Sequence, residues 1–344
     1  MLRDALRRAA AGESLSEGEA ERALETIMEG TVPPAATAAL LTALRVRGES
    51  VPEIVGFARA MRRFAAKVEA PDHVVDTCGT GGDAKGTINV STAAAFAARG
   101  AGVVVAKHGN RAATSLAGSA DVLEALGAEI ELGPEGVSRC IRETGIGFMF
   151  ARTHHPAMKF VAPVRAELPF RTVFNLLGPL TNPAGAKRQV VGVFGGGYVR
   201  PVAEALRDLG AHKALVVHGT DGMDEITVTA PTLVAEVSGG NLKEYEISPE
   251  DFDLPRHAPD GLLGGDAHLN ARILRDVLSG EERGAARDIV LLNAGAAIYV
   301  SEEAASIEEG VRRAEESISS GAARRALDDF VRTTRHLAGL GGSA

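Results

Sequence analysis

The sequence predicts an α/β protein, with a small all-helical N-terminal domain and a larger α/β domain whose central sheet is mostly parallel with some antiparallel strands. Three observations predict it. A chain of 344 residues is too long for one comfortable core, so two domains are expected. Residues up to about Ala70 carry helical patterning alone. From His73 onward, short apolar runs alternate with helical segments, the pattern of a parallel sheet covered by helices.

In the N-terminal module, Ser16-Glu17-Gly18-Glu19 and Ser50-Val51-Pro52-Glu53 fit the capping box. Leu24, Ile27 and Met28 fall on one helical face, and Gly30 stops that helix. Residues 37–47 form a second helical run ending at Gly48, and residues 54–64 a third.

The α/β region opens with the strand His73-Val74-Val75, then a glycine loop, then an alanine-rich helix ended by Gly100. Residues 103–106 read as a second buried strand. Residues 120–126 and 137–143 read as helices, followed by a strand near Phe148-Met149-Phe150. Strands at 189–194 and 214–217 flank a helix at 201–209. Residues 226–247 alternate polar and apolar around Ser238-Gly239-Gly240-Asn241, so antiparallel strands are expected there. Residues 271–278, 286–297 and 307–337 read as helices. The stretch from His154 to Asn182 carries Pro156, Pro163, Pro169 and Pro179 and reads as a long irregular, functional crossing between the domains.

Composition narrows the function classes. A net charge of −8 disfavours a general nucleic-acid binder. Two cysteines, Cys78 and Cys140, make no disulfide framework, and a cytoplasmic location is the default. No stretch resembles a membrane span or a signal core.

Three polar constellations carry the chemistry. The loop Asp76-Thr77-Cys78-Gly79-Thr80-Gly81-Gly82-Asp83 runs from a strand end toward a helix start. Its glycines permit a close backbone approach, and the helix N-terminus favours an anion; the same loop also reads as a plain tight turn. The spacings are neither those of a P-loop nor those of a dinucleotide fingerprint. Lys107-His108-Gly109-Asn110-Arg111, with Ser115 and Ser119, follows a second strand, and ligands of open α/β sheets sit beyond such strand ends. Asp221-Gly222-Met223-Asp224-Glu225 places adjacent carboxylates at a third strand end. That is either a bare acidic turn or a magnesium site shared with a diphosphate. His154-His155 lacks a third ligand at zinc spacing and reads as a ring on a substrate or as structural. Arg165 and Arg171 flank Glu167, as a surface ion pair or as a carboxylate-recognising fork. Cys78 reads as a packing residue.

Together with Asn89-Val90-Ser91-Thr92 and Arg171-Thr172-Val173-Phe174-Asn175-Leu176-Leu177-Gly178-Pro179-Leu180-Thr181-Asn182-Pro183, these motifs resemble the anthranilate phosphoribosyltransferases over nearly the whole chain and in the same order. The resemblance implies a helical domain at 1–70, joined by part of the 160–185 segment and hinged to a phosphoribosyl diphosphate-binding domain at 71–344. It implies a homodimer through the helical domains. The implied reaction joins anthranilate to the phosphoribosyl group, within tryptophan biosynthesis, with two Mg2+ per monomer.

The resemblance also assigns residues. Phosphoribosyl diphosphate falls to Gly79, Gly82, Asp83, Thr87, Asn89, Val90, Ser91 and Thr92, then to Lys107, His108, Gly109, Asn110, Arg111, Ala112, Ala113, Thr114 and Ser115, and to Ser119. Anthranilate falls to Gly79, Asn110, Arg165, His155 and Gly178, and magnesium to Ser91, Asp224 and Glu225. Lys107 is the expected electrostatic catalyst and His108 the candidate for removing the amine proton. Two alternatives share the architecture. A pyrimidine nucleoside phosphorylase is opposed by the Lys-His-Gly-Asn-Arg and Asn-Leu-Leu-Gly-Pro segments. A non-catalytic nucleic-acid-binding relative needs a basic groove and can dispense with Asp224 and Glu225.

Overall fold

A computed structural model describes residues 2–83, 85–112 and 116–341. Four helices come first: α1 (Leu2–Ala10), α2 (Glu17–Met28), α3 (Pro34–Arg47) and α4 (Val51–Phe64). Both expected caps form through the glutamate half of the box. Glu19 Oε2 accepts from the Ser16 N–H (2.8 Å) and hydroxyl (2.7 Å), and Glu53 Oε2 accepts from the Ser50 N–H (2.9 Å) and hydroxyl (2.8 Å). Glu53 is itself fully buried, and its second oxygen accepts from the Leu15 N–H at 2.8 Å. It therefore ties the α1–α2 turn to α4 in addition to capping it.

The larger domain follows as β1 (Val75–Gly79), α5 (Val90–Gly100), β2 (Val105–Gly109), α6 (Ser119–Ala125), α7 (Pro134–Thr144), β3 (Ile146–Phe150), α8 (Ala151–His154), α9 (Ala162–Glu167), α10 (Phe174–Leu180), β4 (Arg188–Gly192), α11 (Val199–Asp208), β5 (Lys213–Gly219), β6 (Thr232–Ser238), β7 (Asn241–Ile247), α12 (Ala267–Ser279), α13 (Ala285–Ser301), α14 (Ile307–Ser319) and α15 (Ala322–Gly341). The sheet order is β3-β2-β1-β4-β5-β6-β7. The first five strands are parallel; β6 and β7 are antiparallel, joined at Gly239 and Gly240, both with positive φ. Strand order reverses between β1 and β4, and the crevice beside such a switch is where ligands of open α/β sheets sit.

Two cores sandwich the sheet. One packs Phe96, Ile289, Leu292 and Phe330 from α5, α13 and α15. The other joins Leu40, Leu44, Ile54 and Phe57 of the N-terminal helices to Val161, Val164, Leu176 and Leu177, and to Val202 and Leu206 of α11.

Three expectations need correction. The stretch from His154 to Asn182 is mostly short helices, because Pro156 and Pro163 sit in first turns, where proline lacks no needed N–H. The single helix expected over 307–337 is two, broken at Gly321 (φ +73°). There Gly100 meets the α14–α15 junction so closely that an added Cβ would lie 2.6 Å from the Ala323 nitrogen. The strands of the glycine loop and the lysine motif are also shifted along the chain: each begins two residues later than its apolar run, at Val75 and Val105, and extends beyond it. β1 includes Asp76 to Gly79 and β2 includes Lys107 and His108, since each pairs in full register with its neighbour.

Gly192, at the end of β4, lies against the acidic turn: a Cβ there would fall 1.5 Å from the Asp224 carbonyl oxygen. Gly192→Ala is expected to lower stability by about 1–3 kcal/mol through overpacking, read by urea denaturation. Unchanged stability would contradict the close approach.

Candidate active site

Alternation along β2 sends Lys107 and His108 to opposite faces of the sheet, and this divides the site into two halves. On the α5 face, Lys107 is buried, and its ammonium donates to the Thr77 carbonyl and to Ser91 Oγ (3.2 Å). Its pKa is lowered by burial, against the opposing pull of Asp76, Cys78 and Glu225. Ser91 opens α5, and its N–H donates to Glu225 Oε1 at 3.2 Å. The helix start, the lysine and the acidic turn are thus linked through one serine.

The glycine loop is gripped by the acidic turn. Gly81, Gly82 and Gly86 take φ of +65°, +79° and +65°, backbone that glycine adopts without strain. The Gly81 N–H donates to Asp224 Oδ2 at 2.7 Å. A Cβ on Gly79 would lie 2.6 Å from the same oxygen. Burial, and then the nearby Asp83 charge, push the Asp224 carboxyl up to about 7. Glu225 is raised well above the carboxylate range, first by burial and then by Asp224. Among the described residues no three His, Cys, Asp or Glu side chains form a ready-made metal cage. Adjacent half-buried carboxylates short of positive charge suit magnesium, which takes few protein carboxylates plus substrate oxygens. Asp224, Glu225 and the Ser91 hydroxyl therefore fit that ion. Nearby, the Thr92 hydroxyl is buried without a partner among the described residues, and Asn89 donates to the Ala117 carbonyl (3.1 Å) and accepts from Asn270 (2.8 Å). Thr87 bridges to Leu263, and Val90 is buried.

On the opposite face, Asp76 is fully buried. It accepts from the His108 N–H (3.0 Å) and from Asn182 (2.8 Å), which also donates to the Ala106 carbonyl (2.8 Å). The sequence reading gave Asp76 and Asn182 no role; both are clamps that fix β1, β2 and the stretch before β4. The His108 ring donates through Nδ1 to the Gly178 carbonyl at 3.2 Å, leaving Nε2 a buried acceptor with no partner among the described residues. The His155 ring lies 5.0 Å from it, centroid to centroid. Burial lowers His108 far below the ordinary histidine range and His155 to about 4, so both are neutral imidazoles. Gly178 has open space where a Cβ would stand.

Arg165, on α9, has its guanidinium 5.5 Å from the Phe174 ring centroid. Burial lowers its pKa, and no ion pair with Glu167 forms. A half-buried guanidinium without a carboxylate partner among the described residues suits a ligand carboxylate. Arg111 is engaged elsewhere, pairing with Asp121 (2.9 Å) and Glu124. Asp121 also accepts from the N–H groups of Ala112 (3.0 Å) and Gly118 (2.8 Å), so Arg111 and Asp121 brace the loop onto α6. The Asn110 carbonyl takes the Ser119 hydroxyl at 3.2 Å, and Gly109 allows that approach. Ala113, Thr114 and Ser115 lie outside the described residues. Cys78 is buried with its thiol pKa raised, in keeping with packing.

This combination of a helical bundle and an α/β domain is that of a glycosyl transferase. The glycosyl transferase family helical bundle domain matches residues 3–65, and the glycosyl transferase family a/b domain matches residues 71–324. The anthranilate phosphoribosyltransferase of Rubrobacter xylanophilus is 83% identical over 341 residues, covering 99% of this chain and 100% of that one. The crystal structure of the Thermus thermophilus anthranilate phosphoribosyltransferase superposes with a TM-score of 0.92 at 49% identity, covering 96% of this chain and 99% of that one. The Saccharomyces cerevisiae enzyme in complex with phosphoribosyl diphosphate and Mg superposes with a TM-score of 0.89 at 29% identity, covering 97% and 98%. The chain belongs to the anthranilate phosphoribosyltransferase family.

The raised carboxyls give a pH prediction. Asp224 holds its proton more tightly in the folded chain, so its ionisation destabilises the fold. That penalty is absent below the ordinary carboxylate range, grows as pH rises, and is complete above about pH 7. A bound cation relieves it. With phosphoribosyl diphosphate present, magnesium is therefore expected to raise the Tm more at about pH 8 than at about pH 6. An equal or reversed difference in thermal melts would contradict this.

Proposed function

We propose that the protein transfers the phosphoribosyl group of 5-phospho-α-D-ribose 1-diphosphate to anthranilate, giving N-(5-phosphoribosyl)anthranilate and diphosphate in tryptophan biosynthesis. The observation that carries this reading is the half-buried Asp224–Glu225 pair set against a glycine loop, with Lys107 as the buried cation beside it. The donor's diphosphate lies along Gly79, Gly82, Asp83 and the start of α5, where Thr92 has an unused buried hydroxyl. Asp224, Glu225 and Ser91 hold magnesium, two ions per monomer, which when bound neutralises charge on the departing diphosphate. Lys107 adds positive field through Ser91 and the helix start.

The anthranilate carboxylate pairs with Arg165 near Asn110, and its ring passes His155 and the open face of Gly178. Holding a weak aromatic amine against the ribose carbon supplies much of the rate. Once the new bond forms, the amine proton is acidic, so the unpartnered Nε2 of neutral His108 suffices as acceptor.

The helical unit spans 1–70 with part of 160–185, hinged to 71–344; the packing of Val161, Val164 and Leu176 with the N-terminal helices supports it. A homodimer forms through the helical units in this reading; light scattering at a monomer's mass would exclude it. We place the enzyme in the cytoplasm. No helix among the described residues is long and apolar enough to cross a membrane.

The direct test mixes the protein with anthranilate, phosphoribosyl diphosphate and magnesium and follows anthranilate fluorescence, against a background free of tryptophan. Loss of fluorescence that needs all three components is expected; none would overturn the reading. Arg165→Ala is expected to weaken anthranilate about ten- to a hundredfold, an effect of about 1.5–3 kcal/mol, and to leave phosphoribosyl diphosphate nearly unchanged. Separate titrations check this, and equal weakening of both substrates would make Arg165 structural.

A further inference from the structure

Arg171 has no role in the scheme above, yet it touches the centre of the glycine loop. It lies between α9 and α10, and its Nη2 donates to the Gly82 carbonyl. Its guanidinium is stacked 4.3 Å from the Phe194 ring centroid. It forms no ion pair among the described residues. Its platform is tied to the same loop, because the Phe194 N–H donates to Thr80 Oγ1 at 3.0 Å. A Cβ on Gly82 would lie 3.5 Å from Arg171 Nε and Nη2, so the guanidinium sits directly over this glycine.

Consecutive glycines with positive φ do not by themselves fix which way their peptide planes face. Two side chains fix them here, from two parts of the fold. Asp224 holds the Gly81 N–H, and Arg171 holds the Gly82 carbonyl. In a trans peptide the carbonyl and the following N–H point opposite ways. With its carbonyl turned to Arg171, the Gly82–Asp83 peptide must turn the Asp83 N–H away from Arg171. That N–H has no partner among the described residues.

We propose that Arg171 is a positioning residue: by holding the Gly82 carbonyl it directs the Asp83 amide at the diphosphate of the donor substrate. The inference rests on the donor site proposed above. It also gives the segment that carries Arg165 a direct hold on the donor loop, so one interdomain stretch serves both substrates.

The test is calorimetric titration of magnesium phosphoribosyl diphosphate, without anthranilate, into wild type, Arg171→Ala, Arg171→Lys and Phe194→Leu, followed by steady-state KM values for each substrate. Arg171→Ala is expected to weaken the donor about tenfold or more, with the anthranilate KM within about twofold. Arg171→Lys is expected to recover part, since an ammonium still donates to the carbonyl but does not stack as a plane. Phe194→Leu is expected to weaken the donor in the same direction by less, and it reads the role if Arg171→Ala fails to fold. Unchanged donor binding in Arg171→Ala, or equal loss for both substrates, would overturn the inference while leaving the donor site standing. A wild type that binds no donor would overturn both.

Discussion

The contact of Asp224 with the ends of β1 and β4 is the constraint on which the rest of the site depends. Its carbonyl leaves no room for a side chain at Gly192, and its carboxylate leaves none at Gly79. The same carboxylate holds the Gly81 N–H. Strand ends on both sides of the topological switch are thereby brought within hydrogen-bonding reach of one acidic turn. The glycines follow from that approach, and the loop's shape follows from the glycines.

Electrostatics then separates the two faces. The α5 face gathers Asp83, Asp224 and Glu225 around a single buried lysine and is short of positive charge. The opposite face holds neutral imidazoles and a half-buried guanidinium without a carboxylate. One half suits a cation and a polyanion, and the other would suit a flat ring with a carboxylate. The strand alternation that sends Lys107 and His108 apart produces this division from two adjacent residues.

Much of this was legible in the sequence, where the signal is local. Glycine spacing, adjacent carboxylates, capping boxes and the Gly239-Gly240 hairpin each depend on near neighbours, and each appears where expected. What escaped depends on partners far along the chain. Asp76 reads as part of a loop until Asn182 and the His108 amide are seen to clamp it. Arg111 reads as a cation at a strand end, and only the fold shows that Asp121 and Glu124 of α6 pair with it. Glu53 reads as a cap of its own helix, yet Leu15, across the bundle, makes it a buried tie as well. Pro156 and Pro163 read as breakers, because proline ends a helix from within but begins one from its first turn.

The central claim is that Asp224 serves at once as a backbone clamp on the loop and as a magnesium ligand beside the donor. Calorimetric titration of magnesium into wild type and Asp224→Asn, each with and without phosphoribosyl diphosphate, tests it most directly. Asparagine keeps the shape and an acceptor for the Gly81 N–H but loses the charge. The account predicts tight magnesium uptake by wild type only when the donor is present, and its loss in Asp224→Asn with the fold intact. Equal, donor-dependent magnesium binding by the variant would contradict it.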